Sequence, residues 1–292
     1  MEIALFVNNK TQIVKDVGSI EPSYSNNYQT SLSNNIKKTI EWLKANDSTE
    51  VSHIYYGSEF CEKALPTPEQ IVEFALFCQE KSLMFVYITP PLTNYGMKIC
   101  KATINALEKS RVIYDVVFND IGLLFWYKNE FNKSAILGRL FDKTSHDGRV
   151  GSKELEELYG EQSKCYAVSS NVFSKQSKKL FDKYNVKRVE LDLPNLQLNT
   201  NDIIGDASVY LPFSFLTTGR RCMIGSVNNE NSIEKCSKLC KTYGQLMTKS
   251  ENTLGLKKQK TILRKGNTIY YIPEGFASSI NYFNRVILEL QL

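Results

Sequence analysis

The fold is decided by the stretch VSHIYYGSEFCEKALPTPEQIVEFALFCQEKSLMFVYIT, residues 51–89. Its two ends, 51–57 and 83–89, are short runs rich in β-branched and aromatic residues, which is typical of strands. Between them, Thr67 is followed by Pro68, and this order is typical of a helix N-cap and the first helical position. The stretch therefore predicts a strand, a helix and a second strand in succession.

The same alternation continues along the chain. Strands are predicted at 2–7, 51–57, 83–89, 114–120, 134–142, 165–170, 187–193 and 206–215. These runs are short and β-branched, as strands buried on both faces require. Eight strands alternating with helices or loops predict an α/β fold, a (β/α)8 TIM-barrel-like domain spanning 1–292. Periodicity alone does not exclude an open doubly wound sheet, but no Gly-x-Gly-x-x-Gly follows the first strand and no P-loop occurs.

Several elements outside the strands are predicted with definite ends. The first helix is expected to begin at Ser33 or Asn34, before apolar residues on one face. Near the other end of the chain, a cysteine-bearing segment (216–245) precedes an extension (246–292) expected to pack on the barrel. The extension is predicted to hold a hairpin with Gly266-Asn267 at its turn. It is also predicted to end in an amphipathic helix within SINYFNRVILEL, residues 279–290.

Four of the seven cysteines form a distinctive pattern. Cys222, Cys236 and Cys240 are spaced C-x13-C-x3-C, and Cys61 stands alone at the end of an apolar run. Three thiols close together and one distant thiol can supply the four thiolates of an iron–sulfur cluster. The spacing is not that of the ferredoxins, so two alternatives stay open. One is a structural zinc site, although only one close cysteine pair exists. The other is ordinary buried thiols.

The other cysteines, Cys78, Cys100 and Cys165, lie among periodic apolar residues and are expected to pack in the core. The N-terminus lacks the basic and apolar regions of a signal peptide. Free thiols without such a leader predict a cytoplasmic chain that uses its cysteines for metal or redox chemistry. No apolar run approaches the about 20 residues of a membrane helix. The net charge is only +5, so nucleic acid is not expected as the main partner.

Polar residues at the ends of the predicted strands suggest where a site lies, because barrel enzymes build their sites at the carboxyl ends of strands. Cys61 follows the second strand and Cys222 follows the eighth, so the thiols are expected on one rim. Arg139 and Asp142 border the fifth strand on that rim, and Arg149 follows. An arginine there would bind a carboxylate or phosphate of a substrate. An ion pair between Arg139 and Asp142 is the alternative.

The chain resembles a known family, the collagenase-like peptidases of unknown catalytic type. Within that family it resembles the ubiquinone-biosynthesis branch. The stretches that carry the resemblance are IYYGSEFCEKAL (54–65), DVVFNDIGLLFWY (115–127), ILGRLFDKTSHDGR (136–149), VELDLP (189–194), TTGRRCMIGSVNNENSIEKCSKLC (217–240) and RKGNTIYY (264–271). The resemblance implies a barrel-like fold and a [4Fe–4S] cluster on Cys61, Cys222, Cys236 and Cys240. It also implies a heterodimer with a sister protein of the same family and oxygen-independent hydroxylation of a quinone precursor.

Four function classes follow. The first is a subunit of an oxygen-independent hydroxylase, with catalytic residues unknown. The second is RNA base hydroxylation, as in other branches of the family, with prephenate as a candidate small-molecule partner. The third is proteolysis, against which stand the presence of only two histidines, His53 and His146, and the absence of His-Glu-x-x-His and Gly-x-Ser-x-Gly motifs. The fourth is a non-enzymatic scaffold or redox subunit.

Overall fold

The computed structural model describes residues 1–20, 27–144, 157, 160, 162, 169–193, 205–220, 222–226, 236, 238–241, 244–247, 262–273 and 280–290. Its strands are β1 (Glu2–Phe6), β2 (Val51–Gly57), β3 (Met84–Ile88), β4 (Tyr114–Phe118), β5 (Ala135–Leu137), β6 (Val186–Leu191), β7 (Asp206–Leu211), β8 (Ser214–Thr218), β9 (Gln245–Met247), β10 (Ile262–Lys265), β11 (Thr268–Tyr271) and β12 (Arg285–Glu289). Its α-helices are α1 (Asn27–Ala45), α2 (Pro68–Glu80), α3 (Asn94–Ser110), α4 (Ile121–Phe131), α5 (Lys175–Tyr184) and α6 (Met223–Ser226).

Eight parallel strands form a closed barrel in the order β1-β12-β7-β6-β5-β4-β3-β2. Helices interleave with these strands, so the predicted (β/α)8 TIM-barrel-like fold is confirmed. The strands β8, β11, β10 and β9 form a separate antiparallel sheet in that order. The chain enters this second sheet directly from β7, which brings the sheet to the carboxyl end of the barrel.

The predicted starts of two helices have different outcomes. Thr67 caps α2 as expected: its side chain accepts a hydrogen bond from the backbone N–H of Gln70, and Pro68 is the first helical residue. Helix α1 instead begins at Asn27, before the predicted cap at Ser33 or Asn34. The prediction placed the start of α1 at its apolar stripe, whereas a helix can extend beyond the residues that carry an apolar period.

The predicted C-terminal helix is wrong, because residues 285–289 form β12, the strand that closes the barrel between β1 and β7. All five residues of β12 are buried. The apolar residues in this segment satisfy a helical period as well as a strand. Pairing with two strands distant in sequence decides between them, because it buries the segment on both faces.

Two further strand predictions are corrected in their bounds. The predicted strand 134–142 ends early, because β5 stops at Leu137 and a 3-10 turn follows at Arg139–Phe141. The predicted strand 206–215 is divided at the cis Leu211–Pro212 bond into β7 and β8, which belong to different sheets. Of the predicted strand 165–170, residues 165–168 lie outside the described residues and 169–170 are not in a strand.

Side chains alternate between the inside and the outside of the barrel. The interior is filled by Ala4, Tyr55, Val86, Ile88, Val117, Ile136, Tyr210 and Ile287, all fully buried. The intervening strand residues point outward and pack with the helices in a larger apolar cluster that includes Ile36, Ile40 and Leu43 of α1. None of the helices in the described parts of the chain has the length and hydropathy needed to span a membrane.

Candidate functional site

A cavity of 740 Å³ lies at the carboxyl end of the barrel. One wall is made by the loops that follow β1 and β2, and the opposite wall by β8 and the β10–β11 hairpin. The carboxyl-bearing side chains of Glu59 and Glu289 reach it from the barrel. The volume lies within the range of small-molecule sites, which is about 300–1,000 Å³.

The four predicted cysteines, Cys61, Cys222, Cys236 and Cys240, all line this cavity as partly buried free thiols. A Cβ atom placed on Gly225 would lie 3.2 Å from Sγ of Cys236 and 3.6 Å from Sγ of Cys222. The two sulfurs are therefore no farther apart than the sum of these distances. The barrel contributes Cys61 and the second-sheet side contributes the other three, so the cavity brings together thiols that are remote in sequence.

The loop that carries Cys61 is fixed at both ends. Gly57, the last residue of β2, has φ +146°, and a Cβ atom there would lie 2.2 Å from the carbonyl oxygen of Ile88. Only glycine permits this close approach and backbone conformation. Beyond the cysteine, the carboxylate of Glu62 accepts hydrogen bonds from the backbone N–H and the hydroxyl of Thr93, at 2.8 Å each to Oε2. The loop is thereby tied to the start of α3.

The thiols influence one another electrostatically. Burial raises the pKa of the Cys61 thiol, two backbone N–H groups oppose this, and Cys236 and Cys222 raise it further. Burial also raises the pKa of Cys240, and the neighbouring Cys222, Cys61 and Cys236 raise it further. The backbone N–H of Gly225 donates a hydrogen bond of 3.3 Å to Sγ of Cys222. A thiolate form of the whole group therefore needs a compensating positive charge.

A site for one metal ion has a simpler requirement, the convergence of several ligands on one point. Among the residues that the structure describes, no three or more His, Cys, Asp or Glu side chains converge as the ligands of one metal ion. Of the remaining cysteines, Cys78 and Cys100 are buried in the outer apolar cluster, which confirms their predicted role in the core. Cys165 lies outside the described residues.

Arg139 lies inside the barrel, fully buried, and all five of its N–H donors are engaged. Glu59 accepts from Nε at 2.7 Å and from Nη2 at 2.8 Å. Asp192 accepts from Nη1 and Glu289 from Nη2, both at 2.7 Å, and the carbonyl of Phe213 accepts at 3.1 Å. The expected substrate contact stays a prediction, but this arrangement leaves no donor for it. The alternative, an ion pair between Arg139 and Asp142, is wrong. Arg139 does form ion pairs, but with Glu59, Asp192 and Glu289.

Asp142 is not among the described residues that line the cavity. Oδ1 of Asp142 instead accepts hydrogen bonds from Thr144 and Ser170, including 2.6 Å from the Thr144 hydroxyl and 2.7 Å from the Ser170 hydroxyl. These bonds tie the segment after β5 to the turn before α5. Arg149, like His146, lies outside the described residues.

Two polar residues of the cavity were not singled out from the sequence. Burial raises the pKa of Glu289 to about 8, although Arg139 opposes this, and its Oε2 has no hydrogen-bond partner within the described structure. Burial lowers the pKa of Lys265 to about 8, while the charges of Cys240 and Glu289 raise it. A lone carboxylate in the apolar run RVILE was the available sequence signal for Glu289. Nothing local distinguished Lys265 from the neighbouring lysines.

No protein-family model, no curated protein and no solved structure matches this chain. The features of the described residues that bear on function are the cavity, its four thiols and the charged groups beside them.

Proposed function

We propose that this chain is an iron–sulfur protein in which Cys61, Cys222, Cys236 and Cys240 hold a [4Fe–4S] cluster. The observation that carries the proposal is that four thiols from opposite walls line one cavity. The two other described cysteines are buried elsewhere in the core. Four thiolates are the ligand set that such a cluster requires.

A cluster and a zinc ion make different demands on the spacing of their thiols. A tetrahedral zinc site places four sulfurs about 2.3 Å from one point, and therefore close to one another. In a polynuclear cluster each thiolate binds a different iron atom, so the ligands stand farther apart. The iron atoms would also supply the positive charge that a group of mutually repelling thiolates needs.

Iron analysis is the direct test. Protein purified without oxygen is expected to be brown and to contain about four iron atoms and as many sulfides per chain. Replacing any one of Cys61, Cys222, Cys236 or Cys240 by Ala should remove most of the iron, because each supplies a ligand. The matched controls are Cys78→Ala and Cys100→Ala, which should retain it. Full iron retention in Cys222→Ala, or iron loss in both controls, would contradict the ligand assignment.

We further propose that the chain works in oxygen-independent hydroxylation of a quinone precursor ring, as the resemblance to the ubiquinone-biosynthesis protein UbiV implies. When bound, the cluster supplies or accepts electrons one at a time. The aromatic side chains of Phe6, Tyr56, Phe60 and Tyr270 line the cavity and can pack against an apolar ring. Glu289 can hold a proton at the cavity floor, since its pKa is raised to about 8.

The partner proposed for this reaction is a sister chain of the same family, UbiU-like, forming a heterodimer. Helix α4 offers an apolar surface for it, because Ile121 and Phe125 are exposed while Leu123, Leu124 and Tyr127 are buried. A standard interface buries about 1,600 Å² in total, far more than these two side chains, so neighbouring surface would have to contribute.

Proteolysis gains no support from the one histidine that the structure describes. His53 lies in β2 near the amino end of the barrel, whereas Cys61 follows the carboxyl end of the same strand. Its ring nitrogens contact Arg285 at 2.6 Å and Ser52 at 2.8 Å. Burial lowers the pKa of His53 to about 4, and the positive charge of Arg285 acts in the same direction. The histidine is therefore occupied away from the thiols.

The reaction is tested by comparing a deletion strain grown with and without oxygen. Quinone should be lost and a precursor should accumulate only in the absence of oxygen, because the proposed hydroxylation is the one that does not use oxygen. Quinone intermediates and modified RNA bases are measured together by mass spectrometry. Normal quinone with loss of a hydroxylated RNA base would replace the quinone reaction by RNA hydroxylation. A strain complemented with Cys222→Ala should behave as the deletion.

A further inference from the structure

We propose that Asn267, in the turn between β10 and β11, is a positioning residue that holds the cysteine-bearing segments together across the cavity. The inference rests on the proposed function only in naming the cluster as the group to be bound. The positioning of the thiols themselves can be measured without any iron.

The side-chain amide of Asn267 joins two segments that are distant in sequence. Its Nδ2 donates a hydrogen bond of 2.9 Å to the carbonyl of Phe60, the residue before Cys61. The same nitrogen donates at 2.7 Å to the carbonyl of Gly219, three residues before Cys222. An amide nitrogen carries two hydrogens, so both are used. The backbone carbonyl of Asn267 also accepts from the N–H of Gly219, at 3.1 Å.

The residue beside it brings the turn against two of the thiols. Gly266 has φ +59°, and a Cβ atom there would lie 3.3 Å from Cβ of Cys240 and 3.9 Å from Sγ of Cys222. Two consecutive residues of one turn therefore reach the segments of three cysteines. Two of these, Cys222 and Cys240, belong to the second-sheet side, and Cys61 belongs to the barrel.

This linkage matters most for Cys61, because it is the only one of the four thiols contributed by the barrel side. The loop of Cys61 meets the β10–β11 turn through the Phe60 carbonyl. The ring of Phe60 packs against the rings of Phe215 and Tyr270, with centroid distances of 5.4 and 5.8 Å, and keeps the two walls in contact. Such apolar packing is not directional, so it does not by itself set the position of the Phe60 carbonyl. The two hydrogen bonds from the Asn267 amide set the positions of the Phe60 and Gly219 carbonyls relative to each other.

Asparagine is suited to this role by its chemistry. Two carbonyl oxygens face one neutral nitrogen, so no charge is buried beside the thiols. Aspartate has the same shape but would place an oxygen against both carbonyls, replacing two hydrogen bonds by repulsion. Outer-shell partners of metal ligands typically contribute about 10- to 100-fold to metal affinity.

The test compares wild type with Asn267→Asp and Asn267→Ala, the latter removing the donors without adding repulsion. Iron release to a chelator from anaerobic protein should be about tenfold faster or more in both variants. The control Asn132→Asp, at the exposed C-cap of α4, should match wild type. Circular dichroism and thermal melting establish that the compared proteins are folded. If Asn267→Asp is not folded, the comparison is made with Asn267→Ala alone.

The iron-free measurement uses the apoprotein and dibromobimane, which bridges two nearby thiols and is mapped by mass spectrometry. Cross-links from Cys61 to Cys222, Cys236 or Cys240 should form in wild type and fall in both Asn267 variants. Equal cross-linking in folded wild type and variants would overturn the inference, whatever the iron content. Wild type that cross-links but never binds iron would instead overturn the proposed cluster and leave the role of Asn267 standing.

Discussion

At the scale of the residue, Arg139 shows how a buried charge is made tolerable. Its side chain is fully buried, and three carboxylates, one carbonyl and the ring of Tyr210 at 3.8 Å surround the guanidinium. Glu59 lies two residues before Cys61, and Glu289 lines the cavity. The arginine therefore joins the barrel interior to the floor of the candidate site.

Replacing Arg139 by Met should lower the free energy of unfolding by about 3–5 kcal/mol near neutral pH, because the buried acidic groups of Glu59, Asp192 and Glu289 lose their shared cation. The control is Lys133→Met, which removes an exposed ion pair with Glu108 and should cost about 1 kcal/mol or less. Urea unfolding of both variants measures the difference. Equal costs would show that the buried arginine contributes no more than a surface lysine.

At the scale of the element, β12 is the strand on which closure of the barrel depends. It pairs with β1 on one side and β7 on the other, joining the first barrel strand in sequence to the seventh. Arg285 at its start bonds Glu2 at 2.7 Å and the hydroxyl of Tyr55 at 3.0 Å. Its side chains thus anchor the amino end of the barrel, while Glu289 reaches the carboxyl end.

Truncation after residue 284 should abolish the cooperative thermal transition and cause self-association, since β1 and β7 would become unpaired edges. Size-exclusion chromatography and melting curves test this. Removal of only residues 291–292 leaves β12 intact and should preserve both the elution volume of the full chain and the transition. A monomeric truncated chain that melts cooperatively would mean that the barrel closes without β12.

At the scale of the whole molecule, acidic groups accumulate inside the barrel. Burial raises the pKa of Glu190 to about 7, although a hydrogen bond from Tyr210 of 2.6 Å opposes it. The pKa of Glu289 is raised in the same direction. The folded protein therefore keeps protons that an unfolded chain would release near the ordinary value of 4.5.

The stability contributed by this proton uptake is fully present below pH 4.5 and is lost as the pH rises toward about 7. Glu190→Gln should flatten the fall of unfolding free energy across this window, since glutamine still accepts the Tyr210 hydrogen bond but does not titrate. Urea unfolding at several pH values measures it. Glu80→Gln, at the exposed end of α2, should leave the slope unchanged. An unchanged slope in Glu190→Gln would contradict the prediction.

The sequence by itself determined the features that depend on neighbouring residues. Thr67 and Pro68 start α2 as predicted, and Gly266-Asn267 form the turn of the β10–β11 hairpin. The alternation of strands and helices predicted the α/β class, but closure of the barrel depends on β12, which the local pattern predicted as a helix. Caps, turns and apolar periods act over a few residues, so their physical causes are all present in a short stretch of chain.

Only the tertiary structure decided what depends on contacts between distant segments. It made residues 285–289 a strand, paired Arg139 with Glu59, Asp192 and Glu289, and set Asn267 between the carbonyls of Phe60 and Gly219. The cysteines could be selected from their sequence pattern, but their shared cavity could not. Burial and long-range pairing fix these arrangements, and neither is encoded in the residues adjacent to the ones affected.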